Sequence, residues 1–182
     1  MVHPAALCET DAIGPRTRIW AFAHVLPGAE IGEDCNICDH VFVEGGARLG
    51  DRVTVKNASL IWDGVEIGDD VFVGPRVTFT NDLRPRIGFS VPAGEFVRTT
   101  VRSGATLGAN VTIVCGVTVG HYAMAGAGTV INRDVPDHVL VVGVPGRPIG
   151  WVCVCGLSVG EDLGCTCGRR FEPLPDGGLR QL

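Results

Sequence analysis

Two carboxylates and an amide are spaced so that a repeating fold would bring them together. Asp63 and Asn81 are separated by three times six positions, and Asp82 follows Asn81 directly. In a chain whose coils each take up three hexads, positions 63 and 81 stack on successive coils, about 5 Å apart between backbones. Their oxygens can accept hydrogen bonds from an amine or a hydroxyl group. Asp and Asn also favour turns, so the spacing alone leaves a binding site and ordinary turn chemistry equally open.

Basic residues are concentrated around the second of these positions. Residues 76–102 contain five arginines against Asp82 and Glu95, a net charge of +3. Because the whole chain has a net charge of −5, the remainder carries −8. A basic island on an acidic chain indicates a site for a small polyanion, such as a phosphorylated ligand, rather than for a long nucleic acid. A solvated loop without a ligand is the alternative interpretation.

Four of the eight cysteines form a repeated pattern near the C-terminus. Cys153-x-Cys155-Gly and Cys165-x-Cys167-Gly are separated by nine residues. Two such knuckles are typical of a small structural zinc site, although each pair is one residue shorter than the usual Cys-x-x-Cys. Reduced thiols without a metal are the alternative, and disulfides are disfavoured in a cytosol. The other cysteines are predicted to be small buried hydrophobic residues: Cys8, Cys35, Cys38 and Cys115.

The elements that position these residues come from a repeat of six. Apolar residues recur at every sixth position from Leu7 to Phe79, and the phase resumes from Val101 to Ile131; these residues are predicted to point inward and form the core. A period of six fits neither a helix nor a heptad, but as a multiple of two it suits short strands. Strands joined by tight turns at this spacing predict a solenoid in which each coil stacks on the last.

A longer period sets the size of one coil. Glycine follows the apolar residue at every third hexad, at Gly14, Gly32, Gly50 and Gly68, which predicts a triangular prism with three hexads per coil. Two sets of outward residues carry alternating charges, which indicates solvated faces. The third face carries His24, Phe42, Leu60 and Thr78, and outward apolar residues there predict a subunit interface.

The repeat of six is interrupted once along the chain. The interval from Phe79 to Val101 is not a multiple of six, so part of residues 81–100 must leave the prism as a loop. Long loops on rigid scaffolds tend to carry function.

A hydrophobic fraction of 46% excludes a disordered chain. Without an apolar run of about 20 residues or a signal peptide, the chain is predicted to be soluble and cytoplasmic, with no membrane partner. The negative net charge argues against a nucleic-acid partner.

The hexads resemble those of the left-handed parallel β-helix of hexapeptide-repeat acyltransferases. Within that group, the segments CNICDHVFVE (35–44), IWDGVEIGDDVFVGP (61–75) and TNDLRPR (80–86) resemble N-acetyltransferases of dTDP-linked 3-amino-3,6-dideoxyhexoses. Residues 104–130 and 141–156 resemble the related enzymes for UDP-3-amino-glucuronic acid derivatives. The expected architecture is an all-β, left-handed β-helix over residues 1–136, with loop 81–100 protruding and a small cysteine-containing appendage over residues 137–182.

The resemblance assigns roles to individual residues. It implies that Asp63, Asn81 and Asp82 act at the sugar, that acetyl-CoA is the co-substrate, and that the protein is a homotrimer. The remaining candidates are His40, Arg84 and Arg86 for the substrate, and Ala109, Ala127, Gly128 and Arg147 for the cofactor.

The presence or absence of a histidine in the loop distinguishes a hydroxyl acceptor from an amine acceptor. Related enzymes that act on hydroxyl groups use a loop histidine as general base, whereas a neutral amine is itself nucleophilic. The loop at 81–100 contains no histidine, which favours an amine acceptor. The same fold hosts a zinc carbonic anhydrase, but this chain lacks the close histidine pair, five residues apart, of that site. The sequence thus predicts an acetyl-CoA-dependent N-acetyltransferase for a dTDP-linked 3-amino sugar. The alternatives are a UDP-3-amino-glucuronate-type enzyme, a sugar O-acetyltransferase and a non-catalytic scaffold.

Overall fold

The computed structural model of the chain describes residues 1–89, 91–92 and 95–182. Within these residues the chain forms short strands and no helix, and no segment is a helix long and apolar enough to cross a membrane. The strands stack into a β-solenoid of about seven coils, which confirms the all-β prediction.

Most strands are only two residues long, because each hexad spends its other residues on a turn. In chain order they are β1 (Leu7–Cys8), β2 (Arg18–Ile19), β3 (His24–Val25), β4 (Glu30–Ile31), β5 (Asn36–Ile37), β6 (Phe42–Val43), β7 (Arg48–Leu49), β8 (Thr54–Val55), β9 (Leu60–Ile61), β10 (Val65–Ile67), β11 (Phe72–Val73), β12 (Thr78–Phe79), β13 (Thr99–Val101), β14 (Thr106–Leu107), β15 (Thr112–Ile113), β16 (Thr118–Val119), β17 (Met124–Ala125), β18 (Val130–Ile131), β19 (Val139–Val142), β20 (Arg147–Val152), β21 (Ser158–Val159), β22 (Phe171–Pro173) and β23 (Leu179–Gln181).

Three sheets form the three faces of the prism across the described residues. Their strands pair in parallel, except that β20 pairs antiparallel with both β19 and β21. The nine-stranded sheet has the order β2-β5-β8-β11-β14-β17-β19-β20-β21, and β1-β3-β6-β9-β12-β15-β18 make up the seven-stranded sheet. The five-stranded sheet has the order β16-β13-β10-β7-β4. Phe42 pairs with Leu60 and Arg18 with Asn36, so neighbouring coils are offset by three hexads, as the repeat predicts.

The first hexad departs from the predicted phase. Leu7 pairs with His24 and Cys8 with Val25, so the offset between these coils is one position short of three hexads. A shift of one residue exchanges the two faces of a strand. Leu7 therefore points outward and is 53% exposed, whereas the smaller Cys8 packs against the core. The prediction that Leu7 is a core residue is wrong for this reason.

The core is a column of stacked aliphatic side chains from Ile19 to Val141. Removing one Val, Leu or Ile side chain from water contributes about 1.5–3 kcal/mol. The predicted charge ladders lie outside this column. Arg16 reaches Asp34 at 2.7 Å and Arg52 reaches Asp70 at 2.7 Å. Hydrogen bonds from these guanidinium groups lower the pKa of both aspartates.

The loop leaves the prism at the predicted place. Thr78 on β12 pairs with Thr112 on β15, and Phe72 on β11 pairs with Thr106 on β14. Strands on either side of the loop are therefore offset by far more than the three hexads that separate the coils before it. Regular pairing resumes at Thr99, which pairs with Val65. Residues 90, 93 and 94 of the predicted loop lie outside the described residues.

The C-terminal segment closes one end of the solenoid. Strand β19 still pairs in parallel with β17, and Val141 belongs to the solenoid core. A second small core begins at Cys153. We call residues 153–182 the knob. It contacts the last coil where the Leu179 N–H donates to the Asp137 carbonyl at 3.0 Å.

Candidate functional site

Asp63, Asn81 and Asp82 lie where the chain turns from the seven-stranded to the five-stranded sheet, and we call this edge the acidic corner. The pairing of β9 with β12 ends at Leu60 and Thr78, and Asp63 and Asn81 each follow three residues later. The two residues therefore occupy corresponding places on successive coils. Both are half-buried.

Asp63 is seated against the preceding coil. Its carboxylate occupies the space that a Cβ on Gly46 would need, and its backbone N–H donates to Glu44 Oε2 at 2.9 Å. A related contact recurs at another corner, where Asp51 Oδ1 accepts the Glu33 N–H of the preceding coil at 2.9 Å. Asp63 is thus held by its neighbours before any ligand binds.

The end of the loop returns to the same corner. The Val97 N–H donates to the Asn81 carbonyl at 3.2 Å, and the Thr99 N–H donates to the Gly64 carbonyl at 3.0 Å. Asp82 Oδ1 accepts the Arg84 N–H at 2.7 Å, which fixes the first turn of the loop. The acidic corner is therefore bounded by both ends of the loop.

In the structure, the arginines of the basic segment at residues 76–102 lie in separate places. Arg98 is paired with Glu66 at 2.9 Å and Arg76 lies at a different corner, whereas Arg84 and Arg86 are exposed on the loop. The described residues of the loop itself form an open groove of about 300 Å³, which is lined by Asp82, Pro85, Arg86, Ile87, Val91 and Phe96. A carboxylate and a guanidinium thus share one partly apolar groove beside the acidic corner.

The predicted cofactor residues lie at the other edge of the seven-stranded sheet. The Gly128 N–H donates to the Ala109 carbonyl at 2.8 Å, so these residues and Ala127 form one stacked edge, which we call the small-residue corner. His40 lies several coils away on the same edge, stacked on Phe22 with ring centroids 5.0 Å apart. Arg147 is exposed at the start of β20.

Sequence reasoning placed His40 and Asp63 in one site, but a single chain does not bring them together. His40 lies on the edge between the nine-stranded and seven-stranded sheets, and Asp63 lies on the edge between the seven-stranded and five-stranded sheets. The width of the seven-stranded sheet separates the small-residue corner from the acidic corner. The candidate residues of the predicted site therefore lie at two separate corners of one chain.

The outer face of the seven-stranded sheet between these corners is aromatic. Phe42 packs edge-on against His24 at 5.6 Å and tilted against Trp62 at 5.2 Å between ring centroids. The sequence predicted the apolar stack of His24, Phe42 and Leu60, but it missed Trp62, Glu44 and Gly46. The signal was available, because positions 44 and 62 are also three hexads apart, just beyond the strand residues.

Two of the five histidines, His138 and His24, have defined side-chain partners that bear on a role as base. His138 is buried between Tyr122 and Phe171, and burial lowers its pKa. His24 Nε2 lies 2.8 Å from Glu9 Oε2, an arrangement that would also suit a base held by a carboxylate. It lies two coils away from Asp63 along the seven-stranded sheet.

The four cysteines of the two knuckles converge in the knob, as predicted. The sulfur atoms of Cys153, Cys155, Cys165 and Cys167 all lie within 4.8 Å of one another, so the group could bind a metal ion. The backbone N–H and the guanidinium of Arg169 contribute to lowering the pKa of the Cys167 thiol to about 6. The cysteines predicted to be small hydrophobic residues are buried, or half-buried in the case of Cys8.

Comparisons with known proteins agree with this architecture. The family model described as bacterial transferase hexapeptide (six repeats) matches residues 12–45. The dTDP-3-amino-3,6-dideoxy-alpha-D-galactopyranose 3-N-acetyltransferase of Aneurinibacillus thermoaerophilus is 50% identical over 184 residues, covering 100% of this chain and 94% of the relative. The bifunctional protein GlmU of Brevibacillus brevis is 37% identical over 135 residues, which cover 74% of this chain but only 26% of that protein.

Solved structures support the fold. A mutant of AntD, an N-acyltransferase from Bacillus cereus in complex with dTDP and coenzyme A, superimposes with a TM-score of 0.68 at 21% identity, covering 76% of this chain and 82% of that one. A mutant of GDP-perosamine N-acetyltransferase from Caulobacter crescentus, in complex with CoA and GDP-perosamine, gives a TM-score of 0.54 at 22% identity, covering 82% of this chain and 55% of that one.

The matching family model and the relative at 50% identity together show that the chain is a hexapeptide-repeat acyltransferase. Within that class, the end-to-end identity of 50% shows that the chain belongs to the family of nucleotide-sugar N-acetyltransferases. The alternative of a non-catalytic scaffold is therefore wrong.

The contact between Gly46 and Asp63 can be tested with a substitution at Gly46 and a matched control at Gly28. Gly46 has a φ of 89° and Gly28, one coil earlier at the same corner, has a φ of 84°. An alanine at either position adopts an unfavourable left-handed conformation, at a cost of about 1–2 kcal/mol. Only Gly46→Ala also displaces Asp63, because the atoms nearest to a Cβ at Gly28 are 3.8 Å away.

We expect Gly46→Ala to lower kcat/KM by about 10-fold or more relative to Gly28→Ala, because small misplacements of positioning groups are costly. Steady-state kinetics and melting curves of both variants provide the test. Equal kcat/KM values for the two variants would show that the position of Asp63 does not matter for turnover.

Proposed function

We propose that the protein transfers the acetyl group of acetyl-CoA to the 3-amino group of a dTDP-linked 3-amino-3,6-dideoxy sugar. The observation that carries the proposal is the identity of 50% along the whole chain to an enzyme named for this reaction on the galactose-configured sugar. The acidic corner supplies the carboxylates and the amide that such a substrate needs.

The proposed reaction is a direct attack by the neutral sugar amine on the thioester carbonyl. Asp63 accepts a hydrogen bond that orients the sugar, and Asn81 and Asp82 hold the amine or its neighbouring hydroxyl. A backbone N–H near the Gly-rich coils stabilises the oxyanion that forms on the carbonyl oxygen. When the tetrahedral intermediate collapses, the carbon–sulfur bond breaks and the thiolate of CoA takes up the proton lost by nitrogen. No histidine is needed as a base.

The two corners suggest how the substrates meet. CoA lies along the small-residue corner, where Ala109, Ala127 and Gly128 leave room for it, and Arg147 contacts its phosphates. The exposed Arg84 and Arg86 contact the diphosphate of the nucleotide sugar. Both arginines lie beside the acidic corner, so the acidic sugar site and a basic diphosphate site are adjacent.

A trimer would complete the site. If three prisms pack around a threefold axis with their aromatic faces inward, the small-residue corner of one protomer faces the acidic corner of the next. His40 of one chain and Asp63 of its neighbour then share one cleft, although they are apart within one chain. Continuous apolar surface of this kind marks subunit interfaces.

Transfer to a hydroxyl group is the second candidate function, because one observation favours it. The His24–Glu9 pair has the geometry of a histidine base held by a carboxylate. The pair lies on the aromatic face, so a trimer would enclose it between subunits.

The substrate proposal is tested by thiol release from acetyl-CoA with a panel of nucleotide sugars. We expect turnover with dTDP-3-amino-3,6-dideoxygalactose and kcat/KM values about 100-fold lower with the matching 3-hydroxy sugar, because a site built around an amine leaves polar groups unpaired with an analogue. A UDP-linked 3-amino-glucuronate derivative is the competitor that distinguishes the nucleotide. Preference for the UDP-linked sugar would overturn the dTDP assignment, and preference for the hydroxyl sugar would overturn N-transfer.

A further inference from the structure

The knob has too small a core to fold on its own apolar contacts. Among its described residues, the buried cluster consists of Val159, Phe171 and Leu179 together with Cys153 and Cys165. Segments of fewer than about 40 residues rarely hold a fold without a disulfide, a metal or a partner. Two of these five buried residues are cysteines, so only three buried hydrocarbon side chains remain to stabilise the knob.

The two knuckles have the same backbone geometry. In the first, the Cys153 N–H donates to the Leu157 carbonyl at 2.8 Å and the Gly156 N–H donates to the Cys153 carbonyl at 2.8 Å. In the second, the Cys165 N–H donates to the Arg169 carbonyl at 2.9 Å and the Gly168 N–H donates to the Cys165 carbonyl at 2.9 Å.

Glycine is required at the equivalent point of each knuckle. Gly156 has a φ of 83° and Gly168 a φ of 92°, values that other residues rarely adopt. Two separate segments thus form the same turn, and each contributes two sulfur atoms to the cluster. A duplicated turn is expected where both segments serve one central ligand.

The sulfur atoms have the spacing of a tetrahedral metal site. A metal with four sulfur ligands at about 2.3 Å places those sulfurs roughly 3.8 Å from one another. Here Cys153 Sγ lies 3.5 Å from Cys167 Sγ, and Cys155 Sγ lies 3.7 Å from Cys165 Sγ. Each close contact joins one knuckle to the other, and all four sulfurs are mutually close, whereas two disulfides would need only two close pairs.

We propose that the four cysteines bind one structural Zn²⁺ ion, which fastens the knob to the end of the solenoid. Four thiolates leave no open position for a substrate, so the metal has no part in acyl transfer. Zn²⁺ suits this structural role because it has no redox chemistry and favours four tetrahedral thiolate ligands.

The metal would also stabilise the last coil. Strand β20 leads directly into Cys153, and Trp151 Nε1 donates to the Gly177 carbonyl of the knob at 2.9 Å. His138 of the last coil packs edge-on against Phe171 at 5.0 Å. Loss of the metal is therefore expected to release the knob and expose the end of the solenoid, an open sheet edge of the kind that promotes aggregation.

Metal content of the full-length protein tests the proposal directly. Elemental analysis of protein purified without chelators should give one zinc per chain, and exchange for Co²⁺ should give the visible spectrum of a tetrahedral thiolate site. Cys155→Ser changes an exposed ligand and should abolish zinc binding. Val154→Ser changes the residue between Cys153 and Cys155 and should leave zinc binding intact. Cys8→Ser is the control for a cysteine outside the knob.

Thiol reactivity and mass distinguish the other outcomes, and wild-type protein suffices if a variant fails to fold. With zinc bound, four thiols should be protected until a chelator is added, and the melting temperature should fall on chelation. Iron in place of zinc, a mass that shows two disulfides, or four freely reactive thiols without metal would each overturn the proposal. None of these results depends on the acetyltransferase assay, so the metal site can fail while the proposed function stands.

Discussion

Asp63→Asn is expected to lower kcat/KM by about 100-fold while changing the melting temperature little. The amide has the shape of the carboxylate and fits the space beside Gly46, so folding should lose no more than about 1 kcal/mol. Turnover should suffer because the uncharged amide is a weaker hydrogen-bond acceptor for the sugar than the carboxylate, and loss of an orienting group is costly. Steady-state kinetics and thermal unfolding of the same preparation provide the measurement.

Asp51→Asn is the matched control for this substitution. Asp51 Oδ1 also accepts a backbone N–H from the preceding coil, but it lies at a different corner. Similar melting temperatures for both variants, with turnover lost only in Asp63→Asn, would separate catalysis from turn stability. Wild-type turnover in Asp63→Asn combined with lost turnover in His24→Gln would contradict the account and favour a histidine base.

Phe42→Glu is expected to convert a trimer into monomers and to lower kcat/KM by about 100-fold or more. The substitution places a charge in the aromatic face, where an unpaired buried carboxylate is strongly disfavoured. Separation of the chains would leave the acidic corner without the small-residue corner of its neighbour, and so each site would lose its substrate geometry. Light scattering and kinetics at the same protein concentration test both effects.

Phe72→Glu provides the comparison on another face. Phe42 and Phe72 both occupy the first position of a Phe-Val strand with an outward side chain, but Phe72 lies on the nine-stranded sheet and is 40% exposed. We expect Phe72→Glu to remain trimeric and active. A wild-type protein that is monomeric in light scattering, yet fully active, would refute the shared site.

The fold was predictable because the repeat overdetermines it. Each apolar position from Ile19 onwards is fixed by both the hexad period and the longer period of one coil, so a single ambiguous residue does not change the register. The predicted register was wrong in the first coil because no preceding coil fixes its phase. There the chain uses Cys8 instead of Leu7 as the inward residue.

The site was predictable only in part, because the side-chain contacts at the corners of the prism are not determined by the hexad repeat. The spacing placed Asp63 and Asn81 on successive coils, but the seat beneath Asp63 depends on Glu44 and on the missing side chain of Gly46. The five arginines that appear as one island in the sequence are distributed over separate surfaces, because a loop and two corners interrupt them. Charge counting along a chain does not report on these separations.

The central claim is that the protein acetylates the nitrogen at C3 of a dTDP-linked amino sugar. Its most direct test is to incubate the purified protein with acetyl-CoA and dTDP-3-amino-3,6-dideoxygalactose and to analyse the product by mass spectrometry and NMR. We predict the addition of one acetyl group, an amide at C3 and one free CoA thiol released per product. An ester on a ring hydroxyl group, or an unmodified sugar with the trimer and its metal intact, would contradict the account.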